Sequence, residues 1–266
     1  MDFIDISTLF AAFCYLLATA SILTKLFDSK GPNPIWVMLC ACLAIVPHTL
    51  LTTDLLMSGS SINFSLPNVV TLVSVIITLS ITATAIKYRL NLLQPAAYGF
   101  AGIWLLSSYF LPDAAHKPLT ISEMAVISHI TLSLIAYCVL VIACLYSFQV
   151  AYINMKLKSK NLAAVNHLPP LMLVERQLFG VLAVGTIALA ATNLTGFVFL
   201  DGLFSGDNAH KTVLSISALV IYAVILWGHY QKGWRGHRVL TLTIVATVLL
   251  TLSYFGSRFV KEFIIR

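Results

Sequence analysis

The chain has 266 residues, 59% of them apolar and 10% charged, with a mean hydropathy of +0.93. Soluble domains carry roughly a quarter charged residues, so this composition excludes a water-soluble enzyme or binding module and predicts an all-α, polytopic membrane protein. The net charge of +6 would suggest nucleic acid in a soluble chain, but here it falls in short connections, where it sets topology, and no nucleic-acid partner is expected.

The start, Met1-Asp-Phe-Ile-Asp5, is acidic where a secretory signal is basic, so the first apolar run is expected to be retained as a span. Hydropathy predicts eight spans: Ile6–Leu26, Ile35–Leu56, Leu66–Ile86, Gln94–Leu111, Ser122–Tyr152, Leu178–Leu200, Thr212–Tyr230 and Val239–Val260. Turn signals such as Gly31-Pro-Asn-Pro34, Pro169-Pro170 and Gly206-Asp-Asn208 separate them. No connection is long enough for a second domain, so residues 1–266 read as one integral-membrane domain. Lys25, Lys30, Lys87, Arg89, Lys156, Lys158, Lys160, Arg176, Lys232, Arg235 and Arg238 share one side, which the positive-inside rule makes cytoplasmic. The expected architecture is therefore an eight-helix transmembrane bundle with both termini outside, although Arg258, Lys261 and Arg266 oppose that orientation.

The fifth span exceeds the roughly 30 Å hydrocarbon layer, so its end, MKLKSK, is expected to project into the cytoplasm. Residues 161–176 read either as an interfacial segment with Leu171, Met172 and Leu173 turned to lipid or as a basic loop. The stripes Thr71, Ser74, Thr78 and Thr192, Asn193, Thr195 mark helix contacts. All five cysteines lie in apolar runs, which argues against a disulfide framework.

An ionisable group at membrane depth is a functional hypothesis by default. His129 lies two turns inside the fifth span, with Ser133 and Tyr137 on the same face. His48 lies six residues before Asp54, as His129 lies six after Glu123, which sets both about 9 Å below the outer boundary. Two imidazoles at matched depth on antiparallel helices suit axial ligation of one haem iron, and two histidines bonded to neighbouring helices is the alternative. No Cys, Asp or Glu is placed to complete a zinc site there. His229, in LWGHYQKGWRGHR, reads as part of an aromatic anchor at the other interface.

Several stretches resemble the cytochrome c assembly proteins (CcsA/ResC-like), and within them the YpjD/HemX branch of bacterial inner-membrane proteins. Asn63-Phe-Ser-Leu-Pro-Asn68 is similar to the family's FPLSNLYES region, and the run from His129 to Tyr137 to its histidine-to-tyrosine helix, with Ala136 where the family has serine. Leu168-Pro-Pro-Leu-Met-Leu-Val-Glu-Arg176 resembles LPSLDELDR, Gly233-Trp-Arg-Gly236 the GWRG turn, and Ser253-Tyr-Phe-Gly256 the YFG of the last span. The resemblance implies haem near His129 and a second histidine before the GWRG turn, which makes His229 a haem-ligand candidate. The family's tryptophan-rich segment is reduced here to Phe204-Ser-Gly-Asp-Asn-Ala-His-Lys211, which argues against a full cytochrome c synthase.

The resulting expectation is a multi-pass inner-membrane protein, not an enzyme, that holds or translocates non-covalent haem b. His48, His129 and His229 are its candidate iron ligands and Arg258 a candidate propionate partner. Its expected partners are haem, the lipid bilayer and a further membrane subunit. The alternatives are a small-solute or proton-coupled transporter or accessory subunit, or a regulator of haem-pathway enzyme abundance.

Overall fold

The structure, a computed structural model, describes residues 3–26, 31–58, 61–88, 90–110, 119–120, 123–160, 168–199 and 209–256. The described helices are α1 (Phe3–Lys25), α2 (Pro34–Leu56), α3 (Leu66–Ala85), α4 (Leu93–Ser108), α5 (Met124–Lys158), α6 (Leu171–Phe199), α7 (Ala209–Lys232) and α8 (His237–Thr251), the last running on into a π-turn at Leu252–Gly256. Three two-residue strands, β1 (Met57–Ser58), β2 (Ser61–Ile62) and β3 (Leu119–Thr120), form a small antiparallel sheet in the order β1-β2-β3. Among the described residues the regular structure is all-α apart from this sheet, which hydropathy does not signal.

Seven of the described helices are long and apolar enough to cross a membrane. The exception is α4, whose 16 residues extend about 24 Å at 1.5 Å each, less than a typical hydrocarbon layer. α5 runs on to Lys158, beyond the span that ends at Tyr152, as its expected projection requires, whereas the sequence reading starts α6 too late. Leu171–Arg176 forms the opening turns of α6 directly after Pro169-Pro170, with Met172 exposed, instead of a separate interfacial segment.

The chain divides into two compact units, Met1–Thr120 with Lys156–Pro169, and Ile121–Met155 with Pro170–Arg266. In the first, α2 starts sharply because Asn33 caps it: its Oδ1 accepts the amides of Ile35 and Trp36, and Pro34 takes the first position. The helix then runs through Pro47, whose ring supplies no amide for the Leu43 carbonyl. At the opposite end, the buried Asn68 donates from Nδ2 to the carbonyls of Leu55 (2.9 Å) and Asn63 (3.2 Å), which joins the end of α2 to the start of α3.

The polar face of α3 organises this unit. Thr71, Ser74, Thr78 and Thr82 recur at helical spacing, and each donates its hydroxyl proton to a carbonyl of its own helix, at Pro67, Thr71, Val75 and Thr78. Each oxygen is thereby left as an acceptor for a ring from another helix. Trp104 Nε1 on α4 donates to Thr71 (2.9 Å), His48 Nε2 on α2 meets Ser74 (3.2 Å), the Tyr15 hydroxyl on α1 donates to Thr78 (3.2 Å), and the Tyr98 hydroxyl on α4 meets Thr82 (2.8 Å). Tyr15 also stacks on Tyr98 with ring centroids 5.8 Å apart.

In the second unit α8 repeats the device. Thr247 and Thr251 donate to the carbonyls of Thr243 and Thr247, and their oxygens accept the hydroxyls of Tyr222 on α7 and Tyr137 on α5, both at 3.0 Å. Tyr137 also meets Tyr254 and Phe255 edge-on, in the similarity segment at the π-turn. Gly185 on α6 lets α5 approach, since a Cβ there would lie 2.7 Å from Leu140 Cδ2.

Intramembrane hydrogen bonds contribute roughly 0.6 kcal/mol each on average, and Tyr15 serves both Thr78 and His48. Tyr15→Phe should therefore destabilise the protein by about 1–2 kcal/mol in reversible SDS unfolding, whereas Thr24→Ala, whose exposed hydroxyl bonds only its own helix, should have an effect near zero.

Candidate functional site

His129 sits in the second turn of α5, half-buried, against α6. Its Nδ1 lies 3.2 Å from Thr195 Oγ1. Thr195 already donates its proton to the Thr192 carbonyl (2.9 Å), so its oxygen accepts from the histidine and the ring proton resides on Nδ1. Nε2 then carries the lone pair of the neutral ring and has no hydrogen bond to any described residue. Gly196 supplies the room, because a Cβ there would come within 3.1 Å of His129 Cε1.

His229 reaches the same state by another route. Its Nδ1 lies 3.2 Å from the backbone carbonyl of Trp234, which only accepts, so the proton again resides on Nδ1 and the lone pair on Nε2. The ring stacks on Phe179 of α6 with centroids 3.3 Å apart and planes 11° from parallel. The turn after α7 brings the Trp234 carbonyl into place. Gly233 adopts a positive φ of 65°, its amide bonds the His229 carbonyl, and the amide of Trp234 bonds that of Gly228, each at 3.0 Å. The Trp234 indole lies directly on Gly228, where a Cβ would overlap the ring. The largely exposed Arg235 extends toward the mostly buried Glu175 of α6 at 3.8 Å, a long contact.

The two histidines lie at opposite ends of one unit. Asn154, near the end of α5, marks the level of the α7–α8 turn through its 3.4 Å approach to a Cβ at Gly236. From His129 to Asn154 the helix rises about 37 Å. A single iron cannot join the two rings.

His48 differs in kind. It is fully buried in the first unit, and both ring nitrogens face hydroxyls, Nδ1 at Tyr15 and Nε2 at Ser74, both at 3.2 Å. Ser74 donates to the Thr71 carbonyl, so it accepts from Nε2–H and leaves the lone pair on Nδ1 facing the Tyr15 hydroxyl, whose single proton is shared between this nitrogen and Thr78 Oγ1, both at 3.2 Å. Tyr15 also packs edge-on to the ring. Ligation of a metal by His48 would require this contact to open. His48 and His129, matched by depth in sequence, fall in different units.

Arg258, His116 and His167 lie outside the described residues, as does most of the Phe204–Lys211 segment. Among the described residues no three His, Cys, Asp or Glu side chains converge as a metal site, and the cysteines are free thiols, with Cys42 exposed. Sequence reasoning missed Phe179, Thr195 as a histidine partner, and the two glycines under the rings. A glycine inside an apolar helix, as at Gly196 and Gly228, is the signal that was available for them.

Residues 36–265 match the family model described as Cytochrome C assembly protein. The chain is 40% identical over 258 residues to Inner membrane protein YpjD of Escherichia coli K12, covering 96% of this chain and 98% of that protein. It is also 33% identical over 139 residues to a protein of Azospirillum brasilense described as an uncharacterized 28.8 kDa protein in the nifR3-like 5' region, covering 50% and 51% of the two chains. No solved structure matches.

Overpacking a tight contact typically costs about 1–3 kcal/mol, equivalent to roughly a tenfold or greater change in a local opening equilibrium. Gly228→Ala should therefore speed hydrogen exchange at the Gly233 and Trp234 amides about tenfold or more, while amides around Tyr137 keep their protection.

Proposed function

The chain belongs to the cytochrome c assembly protein family, and from that premise we propose that it is a haem-binding protein of the bacterial inner membrane that holds or translocates non-covalent haem b. The observation that carries this reading is the shared state of His129 and His229, each with Nδ1–H anchored and an Nε2 lone pair free of hydrogen bonds to the described residues. Imidazoles that ligate metals are held in this way, since the second-shell bond fixes the tautomer and raises the basicity of the ligating nitrogen. The room left by Gly196 beside His129, and the flat Phe179 wall beside His229, suit a ring ligand that must keep its orientation.

Bound haem would supply an iron with axial positions for imidazole nitrogen. Thr195 and the Trp234 carbonyl orient the two imidazoles, and Phe179 excludes water from one face of His229. Two stations at opposite ends of one unit suit transfer of haem between the two sides of a membrane. With the basic helix ends turned to the cytoplasm, His129 would serve the outer side and His229 the inner, and both termini would lie outside. His48 we assign to the core of the first unit, where its two hydrogen bonds join three helices. A proton relay through that core, as a transporter reading would require, is opposed by hydroxyl protons that end on backbone carbonyls instead of on the next hydroxyl.

The test is the haem content and reduced-minus-oxidised spectrum of protein purified from haem-replete cells. His129→Ala and His229→Ala should each remove part of the haem and the double variant essentially all of it, with additive losses because the sites are separate. His48→Ala should lower stability by about 1–3 kcal/mol yet leave haem per folded protein unchanged. A colourless wild type that stays colourless with added hemin, or a double variant with full haem, would overturn the proposal.

A further inference from the structure

The first unit carries a second feature that the haem reading does not use: a cavity of about 230 Å³ at its basic end, between the α1–α2 and α3–α4 connections. At roughly 30 Å³ per water it has room for about seven, the scale of a small phosphate ester. Ile22, Val37 and Met38 form an apolar wall, while Lys87, Asn91 and Gln94 supply polar groups.

The electrostatics favour an anion. The cavity is bordered by the N-termini of α2 and α4, through Pro34 and Val37 on one side and Leu90 and Gln94 on the other, which act through their dipoles because their first amides are already bonded to Asn33 and to the Leu90 carbonyl, and Lys87 stands at the rim with its ammonium 5.6 Å from the Tyr88 ring centroid. No carboxylate lines it among the described residues.

Gln94 adds a second requirement. Its side chain is more than nine-tenths buried, and Nε2 donates to the Tyr98 hydroxyl at 3.4 Å. The amide cannot flip to accept from Tyr98, because the Tyr98 proton is needed by Thr82, whose own proton is on the Thr78 carbonyl. Oε1 of this cavity-lining residue is thus left as an acceptor, with no partner among the described residues. An occupant that meets both features carries a negative charge and a hydrogen-bond donor, which a hydroxyl-bearing phosphate ester combines.

The cavity also opens onto the surface of the unit at the end of a membrane-spanning helix, where Ile86, beside Lys87 in the cavity wall, is 77% exposed. We propose that this cavity is a binding site for the headgroup of phosphatidylglycerol. Its phosphate lies toward Lys87 and the two helix N-termini, a glycerol hydroxyl donates to Gln94 Oε1, and the acyl chains leave past Ile86. Phosphatidylethanolamine would also offer donors, but its ammonium would face Lys87 and both positive helix ends.

The experiment is native mass spectrometry and lipid extraction of the full chain purified in mild detergent from cells containing both lipids. About one phosphatidylglycerol per chain should be retained, enriched over phosphatidylethanolamine relative to the membrane. A hydrogen bond is worth about 0.5–1.5 kcal/mol net, so Gln94→Met and Lys87→Gln should each lower retention about three- to tenfold, whereas Lys156→Gln should not change it. Lys87 is exposed, so its variant reports on the site even if Gln94→Met proves unstable. Delipidated protein titrated with soluble glycerol phosphate should bind it far more weakly than the lipid. Equal retention of both lipids, no retained lipid, unchanged retention in Lys87→Gln, or glycerol phosphate binding as tight as the lipid would each overturn the proposal.

Discussion

In a bilayer, a hydroxyl on a helix face has only its own backbone within guaranteed reach, and this protein's packing depends on that constraint. Once Thr71, Ser74, Thr78 and Thr82 donate to carbonyls of α3, their oxygens only accept, and a neighbouring helix must bring a donor to meet them. Four rings from three helices do so. The same rule, applied to Thr247 and Thr251, joins α5 and α7 to α8. Apolar packing alone would leave such helices free to rotate among similar contacts, because lipid tails are as apolar as leucine, whereas each hydroxyl admits one donor from one direction.

That directionality also separates the histidines. His48, His129 and His229 look alike in sequence as imidazoles in or beside apolar runs, yet the partner of each fixes a different proton. A serine that can only accept puts the proton of His48 on Nε2, while a threonine that can only accept and a backbone carbonyl put those of His129 and His229 on Nδ1. The position of the lone pair, and hence what the ring can ligate, follows from a neighbour's hydrogen bond one step removed.

Much of the fold was legible because hydropathy and breaker residues act locally. Asn33-Pro34 begins α2 and Pro169-Pro170 precedes α6, and the apolar runs between breakers become the helices. The hydroxyl stripe on α3 was legible as a helix contact, but its partners were not, because Tyr15, His48, Tyr98 and Trp104 are reached only by tertiary packing. Matched depth pairs His48 with His129 in the sequence, but depth fixes height along a helix and not the direction in which a side chain points, so the partner of each ring is read only from the structure. His229 became legible through family resemblance, although Phe179, stacked on it from 50 residues away, left no trace in the local pattern. The β1-β2-β3 sheet went unseen because two-residue strands carry no periodicity.

That sheet bears on the order in which the protein is made. β1 and β2 are adjacent in sequence and pair as soon as the α2–α3 hairpin has been synthesised, but β3 follows Ile62 by more than fifty residues. At roughly 5–20 residues per second, Leu119 and Thr120 are synthesised several seconds after their partner strand, and after α4, which carries Tyr98 and Trp104. Until then β2 presents an open edge. Pairing with β3 closes that edge only when the four preceding helices have been made, just before the chain passes on to α5.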